Sequence, residues 1–409
     1  MDLGKLALFG GERSVPEGSV VSWPAPEDGH AEALRALIGS GRYHGSDHPV
    51  VRQFEEALGA HVAPLHVRAV ATGTAALHTV LDYYRKPGGA VVTAALNWPG
   101  AVGPIYACGM KPRYVDVSLL DGCLDDSLAD VAAGDDVAAI LVPHLFGNFS
   151  RLPRLRQAAS RRKIPVIDDC TISIGGILRY GPDPDFYSTA MIASGNGAKH
   201  LGAGELGVLC ARNPGLIEHV DFVSVATSLR KGDKVFSPPI SYGFNYRPNV
   251  FSAAIALTRL AGLEDQIRVR AGNCLSLCRS LARLPGVVPL FDEGEPGNSF
   301  CVLPLRLVPQ ELGLPDSGYV RDRLGTLLQA EGVPVDAWLR RPVWTYMAFD
   351  PPRLDPEGFP NTDLLLSTML DIRDIAPPND GTVMSHYAAA FEKVWEAIPA
   401  LKDWLVQAP

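Results

Sequence analysis

The chain has 409 residues and a formal net charge of −8, with 47% hydrophobic and 20% charged residues. That length exceeds one ordinary compact domain, and the composition leaves no room for a long disordered or collagen-like tract. The negative balance, with only short basic clusters near Arg161 and Arg340, points away from nucleic acid and toward small-molecule chemistry. No apolar run is long enough to span a bilayer. The first residues, with Asp2 and Gly4, lack the basic segment and apolar core of a signal peptide. Seven cysteines, an odd number without CxxC spacing, fit a reducing cytosol, so the expected location is cytoplasmic.

Apolar residues recur at helical spacing over Glu32–Ile38 and Val50–Leu58, with glycines between, so two short helices open the chain. An alternation follows. Val67–Ala71 reads as a strand, Thr74–Tyr84 as a helix, Ala90–Ala94 as a strand and Gly100–Cys108 as a helix. Arg113–Val117, Val137–Val142 and Ile164–Ile167 are β-rich, the last two separated by a basic helix around Leu152–Arg161. This order predicts an α/β fold with a mostly parallel sheet, right-handed crossovers and helices on both faces. A stretch rich in Pro, Gly and aromatics, Phe236–Tyr246, ends the alternation and precedes a domain junction. Beyond it come a long helix over Ser252–Leu284, a strand over Phe300–Leu307, and helices over Val320–Glu331, Thr362–Ile372 and Met384–Ile398. The expected division is a large domain over residues 1–250, including the helical opening, and a smaller α+β domain over 251–409.

Three segments place polar or glycine residues at strand ends, where open α/β sheets build ligand sites. In Ala71–Leu77 (ATGTAAL), Gly73 permits a tight turn and Thr74 opens a helix whose N-terminus can hold a phosphate, although a plain capped turn has the same sequence. In PVIDDC, Asp168 and Asp169 end a strand. Such a pair binds a metal, works as acid and base, or salt-bridges a cationic nitrogen, and it also suits a solvated strand end. No His cluster lies nearby, and no metal site is expected. In SGNGAKHLGAGELG, Ser194–Gly207, Lys199 sits among small residues that let a ligand approach, the setting of a Schiff-base lysine, whereas an isolated loop lysine is ordinarily just exposed. It is not a P-loop, because Gly204 is not followed by Lys and Ser or Thr.

Together the segments meet one demand. Pyridoxal 5′-phosphate (PLP) needs a phosphate cup at a helix N-terminus, an acid beside its pyridine nitrogen, a lysine for its aldehyde carbon and an aromatic against its ring. Thr74, Asp169, Lys199 and Trp98 supply these four parts.

The sequence resembles the DegT-type, fold-type I, PLP-dependent sugar and cyclitol aminotransferases over nearly its whole length. LALFGG followed by WPAP is similar to the opening of members that aminate cyclitols. ATGTAALHTVL resembles the family's NGTAAL phosphate segment, which implies phosphate contacts at Gly73, Thr74 and Ala75. ALNWPG matches Trp98 to the ring-stacking aromatic, PHLFGN resembles the family's PVHLFG, and VIDDC matches Asp169 to the pyridine-nitrogen acid. The Ser194–Gly207 segment matches Ser194 to a phosphate contact and Lys199 to the Schiff-base lysine. YGFNYRPN resembles GxNYRM, whose Asn reaches the neighbouring subunit's phosphate; this implies that Asn245 does so in a homodimer with shared active sites.

The resemblance implies transfer of an amino group from glutamate or glutamine to a keto sugar, keto cyclitol or related carbonyl compound, in natural-product biosynthesis. Lys199 and Asp169 are then the catalytic residues. Three positions depart from the pattern: Ile172 replaces a usual Gln or His, Gly195 a usual aromatic, and VDAWLRRPVW, Val335–Trp344, an HYPPLH-like stretch. Ile172 and the altered Val335–Trp344 stretch motivate a rival, a PLP enzyme that eliminates, dehydrates or aromatises. A non-catalytic PLP-fold partner protein is a third reading, opposed by the retained lysine.

Overall fold

A computed structural model describes residues 3–43, 45, 47–129, 134–224, 243–347 and 358–407. Residues 236–242 of the stretch before the expected domain junction lie outside these. Seven strands form the principal sheet: β1 (His66–Val70), β2 (Ala90–Ala94), β3 (Lys111–Val115), β4 (Val137–Pro143), β5 (Val166–Asp169), β6 (Ala190–Ser194) and β7 (Gly207–Ala211). Their spatial order is β1-β7-β6-β5-β4-β2-β3. The run from β3 to β6 is parallel, and β7 is antiparallel to both of its neighbours. Strand β1 therefore points the same way as β6.

Both faces are covered, as buried parallel strands require. The helices of this part are α1 (Asp28–Ser40), α2 (Pro49–Val62), α3 (Gly73–Tyr83), α4 (Pro99–Ala107), α5 (Pro153–Arg162), α6 (Ile174–Tyr180), α7 (Pro214–Val223) and α8 (Val250–Leu260). Side chains alternate across the pleat. Met191, Ala193, Val208 and Cys210 pack with α1, α2, α6 and α8, whereas Ala190, Ile192, Leu209 and Ala211 pack with α3, α4 and α7.

A second, antiparallel sheet has the order β10-β11-β9-β8, from β8 (Val287–Pro289), β9 (Leu303–Leu307), β10 (Val335–Asp336) and β11 (Met369–Ile372). It packs with α9 (Leu263–Leu281), α10 (Gly318–Ala330) and α12 (Gly381–Val406) around Tyr387, Phe391 and Trp395, and α11 (Pro360–Thr368) runs into β11. Leu6 and Val15 join this second core, so the start of the chain packs with the C-terminal sheet. Glu331 fixes it there, accepting from the Ala7 amide (2.9 Å), the Ser14 amide (3.0 Å) and Lys393 Nζ (2.8 Å).

Three expectations need correction. The helix read over Ser252–Leu284 is two helices, with α8 ending at Leu260 and α9 starting at Leu263. Gly262, whose backbone is not helical, makes the corner, and the apolar period continues across it because both helices are half-buried. The helix read over Thr362–Ile372 stops at Thr368, and Met369–Ile372 is a strand paired with β9. The strand read from Phe300 begins at Leu303, since Phe300 has a left-handed φ of 48°.

Candidate active site

Five strands of the large sheet end on the same edge, and the residues that follow them meet. Gly73 and Thr74 come after β1, Trp98 after β2 and His144 after β4, while Asp169 and Ser194 end β5 and β6. With Lys199 they line one cavity of about 330 Å³.

The first turn of α3 is built to receive an anion. Thr72, not Thr74, is the cap: its Oγ1 accepts from the Ala75 amide (3.0 Å) and its carbonyl from the Ala76 amide (3.0 Å). The Gly73 and Thr74 amides precede the first intrahelical acceptors and are left for a ligand. Ala75 is buried in the core, and its amide is already engaged. A Cβ on Gly73 would stand 2.9 Å from Thr171 Cγ2 and 3.2 Å from Ser194 Cβ, so only glycine lets α3 come so close to the ends of β5 and β6.

Strand alternation separates Asp168 from Asp169. The Asp168 carboxylate is buried away from the cavity and accepts from Arg156 Nη2 (2.6 Å) and Nη1 (3.0 Å), His144 (2.8 Å) and Ser188 Oγ (2.6 Å). Burial pushes it upward, but Arg156 and His144 outweigh that and hold it well below the usual carboxylate range. His144 Nδ1 accepts from the Ser150 amide (3.1 Å), so Nε2 carries the proton that is donated to Asp168. Asp169 faces the cavity. Burial raises its pKa, only partly offset by Thr171, whose amide donates to Oδ1 (3.1 Å). A cation set beside a buried carboxylate favours its charged form.

Lys199 sits in a tight loop held by pairing of Gly195 with Leu206 (2.7 Å) and Ala203 (2.8 Å). Its carbonyl accepts from the Gly202 amide (3.0 Å) and from Trp23 Nε1 (2.9 Å). A Cβ on Gly195 would lie 2.8 Å from Leu206 Cβ, which explains why no aromatic occupies that position here. Trp98 is oriented by its amide, which donates to Asn97 Oδ1 (2.7 Å), while Asn97 Nδ2 donates to Thr93 (3.1 Å). The Trp98 ring is 53% exposed and lies nearly parallel to Trp338, with centroids 5.9 Å apart and planes 16° apart.

The cavity therefore unites Gly73, Thr74, Trp98, Asp169, Ser194 and Lys199. Asn245 is exposed, has a left-handed φ of 60° and is not part of its lining. Among the lining residues to which the sequence reading assigned no part are Asn97, His144, Glu205 and Trp338. His144 lies in the PHLFGN segment and could have been found from it. Trp338 lies in the divergent Val335–Trp344 stretch, where the sequence offers a difference and no role.

The sequence pattern of the DegT/DnrJ/EryC1/StrS aminotransferase family matches residues 26–375. The chain belongs to this family. It is 26% identical, over 91% of its length and 93% of the relative's, to L-glutamine:2-deoxy-scyllo-inosose aminotransferase of Streptomyces paromomycinus. Among solved structures it is similar to 3-amino-5-hydroxybenzoic acid synthase, with a TM-score of 0.81, 22% identity and coverage of 94% of this chain and 100% of that one. It also resembles NtdA from Bacillus subtilis with bound cofactor PMP, with a TM-score of 0.76, 20% identity and coverage of 94% and 87%. At such identities the structural likeness establishes the fold, that of fold-type I PLP aminotransferases. DegT-family aminotransferases depend on PLP. The residues present fit that group: first-turn amides without intrahelical acceptors at a glycine-cleared approach, a buried carboxylate facing the cavity, and a lysine share one space.

Proposed function

We propose that this DegT-type aminotransferase carries PLP on Lys199 and moves an amino group from glutamine or glutamate to a keto cyclitol, keto sugar or related carbonyl compound, in natural-product biosynthesis. The observation that carries the reading is the convergence of Lys199, Asp169 and the open first turn of α3 on one cavity. The names of full-length relatives, such as the glutamine-dependent inosose aminotransferase, support the donor and acceptor classes.

In this reading the Gly73 and Thr74 amides and the Ser194 hydroxyl hold the phosphate, with Ala75 packed beneath them in the core. Asp169 would stand beside the pyridine nitrogen, where a buried carboxylate would favour its protonated form. Trp98 would lie against the ring. The bound cofactor would supply an aldehyde that takes up the amine and a ring that draws electrons from the donor's Cα. Lys199 Nζ would be the base placed to take up the proton from that Cα, with Trp338 and Ile172 lining the cavity beside it.

The family resemblance matches Asn245 to a contact with the phosphate of a second copy, and its exposure outside its own cavity is compatible with that role. On this reading the enzyme is a homodimer with shared sites. Seven free cysteines, six of them buried, suit a reducing cytoplasm.

The test is single-turnover reaction with glutamine or glutamate, without acceptor. Stoichiometric conversion of bound PLP to pyridoxamine phosphate, with release of the 2-oxo acid, is the expected result, and Lys199→Ala should abolish it together with the cofactor's visible absorbance. Failure of every amino donor to convert the cofactor would overturn transamination and favour the eliminating or aromatising rival.

A further inference from the structure

Lys199 borders a second cavity of about 350 Å³, which shares Lys199, Ile172 and Trp338 with the first. Part of its lining is apolar: Trp338, with Phe146 packed edge-on against it (5.5 Å, 81°), together with Trp23, Ile172 and Val302. Besides Lys199, its charged residues are Asp371, Arg270, Arg373 and Asp374, whose Oδ1 accepts from the Trp23 amide. We propose that this cavity seats the carbonyl acceptor and selects a single polyhydroxylated ring that carries no nucleotide. The inference rests on the aminotransferase reading above.

Asp371 provides the first argument. It is 2% exposed, its Oδ1 accepts from the Trp338 amide (3.1 Å) and its Oδ2 from Arg373 Nε (3.3 Å). A carboxylate has about four acceptor sites, so about half are left for hydroxyl donors of a ligand. Arg270 provides the second. It too is 2% exposed; its Nε donates to Gln266 Oε1 (3.2 Å) and its Nη1 to the carbonyls of Phe300 (3.3 Å) and Cys301 (3.0 Å). Its guanidinium lies over the Trp23 ring (4.6 Å to the centroid), and its buried Nη2 has no hydrogen-bond partner. A buried donor left unsatisfied is costly until an oxygen reaches it.

The lining thus asks for hydroxyl protons at Asp371, a ligand oxygen at Arg270 and a C–H face at Trp338. A polyol ring meets all three. A carboxylate at Asp371 would be repelled, and an apolar ring would leave the remaining acceptor sites of Asp371 and the Nη2 of Arg270 unfilled. The volume lies at the low end for small-molecule sites and suits one ring. Arg373 is also engaged, by Asp371 and by Asp336 (3.0 Å), so it is not a loose cation awaiting a diphosphate.

The test uses the pyridoxamine phosphate form of the full chain with scyllo-inosose and with a dTDP-linked 4-keto-6-deoxyglucose, and calorimetry with unreactive scyllo-inositol. The free keto cyclitol should be the better acceptor. Asp371→Asn should raise its KM about tenfold or more and weaken scyllo-inositol binding to match, since a charged acceptor is lost. The donor half-reaction, in which no ring hydroxyl takes part, should change far less. If Asp371→Asn does not fold, Trp338→Phe should raise the same KM severalfold and leave kcat closer to its starting value. Preference for the nucleotide-linked sugar, or unchanged acceptor KM and scyllo-inositol affinity in the variants, overturns the subsite and leaves transamination standing. A wild-type enzyme that glutamine and glutamate cannot convert removes both.

Discussion

Asp168 and Asp169 differ by one pleat of β5, and that difference divides a carboxylate buried in an ion-pair network from one that faces the cavity. Asp168 sits under the sheet edge with Arg156, His144 and Ser188. Replacing it by Asn leaves Arg156 buried without its counter-charge, which should cost about 3 to 5 kcal/mol in urea unfolding at pH 7. The pH dependence has a definite sign. A carboxylate held below its unfolded pKa stabilises the protein above about pH 4, and that contribution is lost as the pH falls through the unfolded value and toward the depressed one. The wild type should therefore lose its advantage over Asp168→Asn in acid. In the cofactor-free protein Asp169→Asn should behave oppositely, with stability unchanged or slightly raised, because burial already raises the Asp169 pKa. Its activity should fall by a hundredfold or more as the partner of the ring nitrogen is lost, on the order of 3 kcal/mol in the barrier. An Asp169→Asn variant as active as wild type, or an Asp168→Asn variant of undiminished stability, would contradict these assignments.

Elements with one regular period and a clear terminator were legible in the sequence. Strand β2 was read with its bounds intact, Ala90–Ala94, and α3 within a residue of its ends. What could not be read was decided by tertiary pairing. The segment Met369–Ile372 is four apolar-rich residues that continue a helical pattern, and only its partner β9 makes it a strand. Likewise β7 directly follows the glycine-rich run after Lys199 and is fixed as a strand by pairing with β1 and β6. The opening segment is the largest such case, because its affiliation with the second sheet rests on Glu331, more than 300 residues away. Burial pushes the Glu331 carboxyl upward, but the Ala7, Lys393 and Ser14 donors outweigh this and hold it below its ordinary value. Glu331→Ala should release residues 5–15, seen as faster amide exchange there, and lower stability by about 2 to 4 kcal/mol at pH 7. The same segment should loosen in the wild type as the pH falls below about 4. Unchanged exchange in the variant would show that Leu6 and Val15 suffice to hold it.

At the scale of the whole molecule, the cofactor cavity was legible because each of its parts follows a strand, and the parallel edge gathers strand ends that are far apart in sequence. Its substrate-facing side was not. Trp338 reaches the cavity from the loop after β10, a contact between the two sheets that no local pattern announces. The partner's contribution is the remaining piece. Asn245 is exposed in its own chain, and the shared-site reading assigns it to the other copy. This can be decided by mixing two inactive enzymes, Lys199→Ala and Asn245→Ala, after denaturing and refolding them together. If Asn245 acts across a dimer interface, each mixed dimer contains one site with an intact Lys199 from one chain and an intact Asn245 from the other. Random pairing makes about half of the dimers mixed, each with one of two sites restored, so activity should return to about a quarter of wild type. If Asn245 serves its own chain, or the enzyme is monomeric, no pairing can rebuild a complete site and the mixture stays inactive.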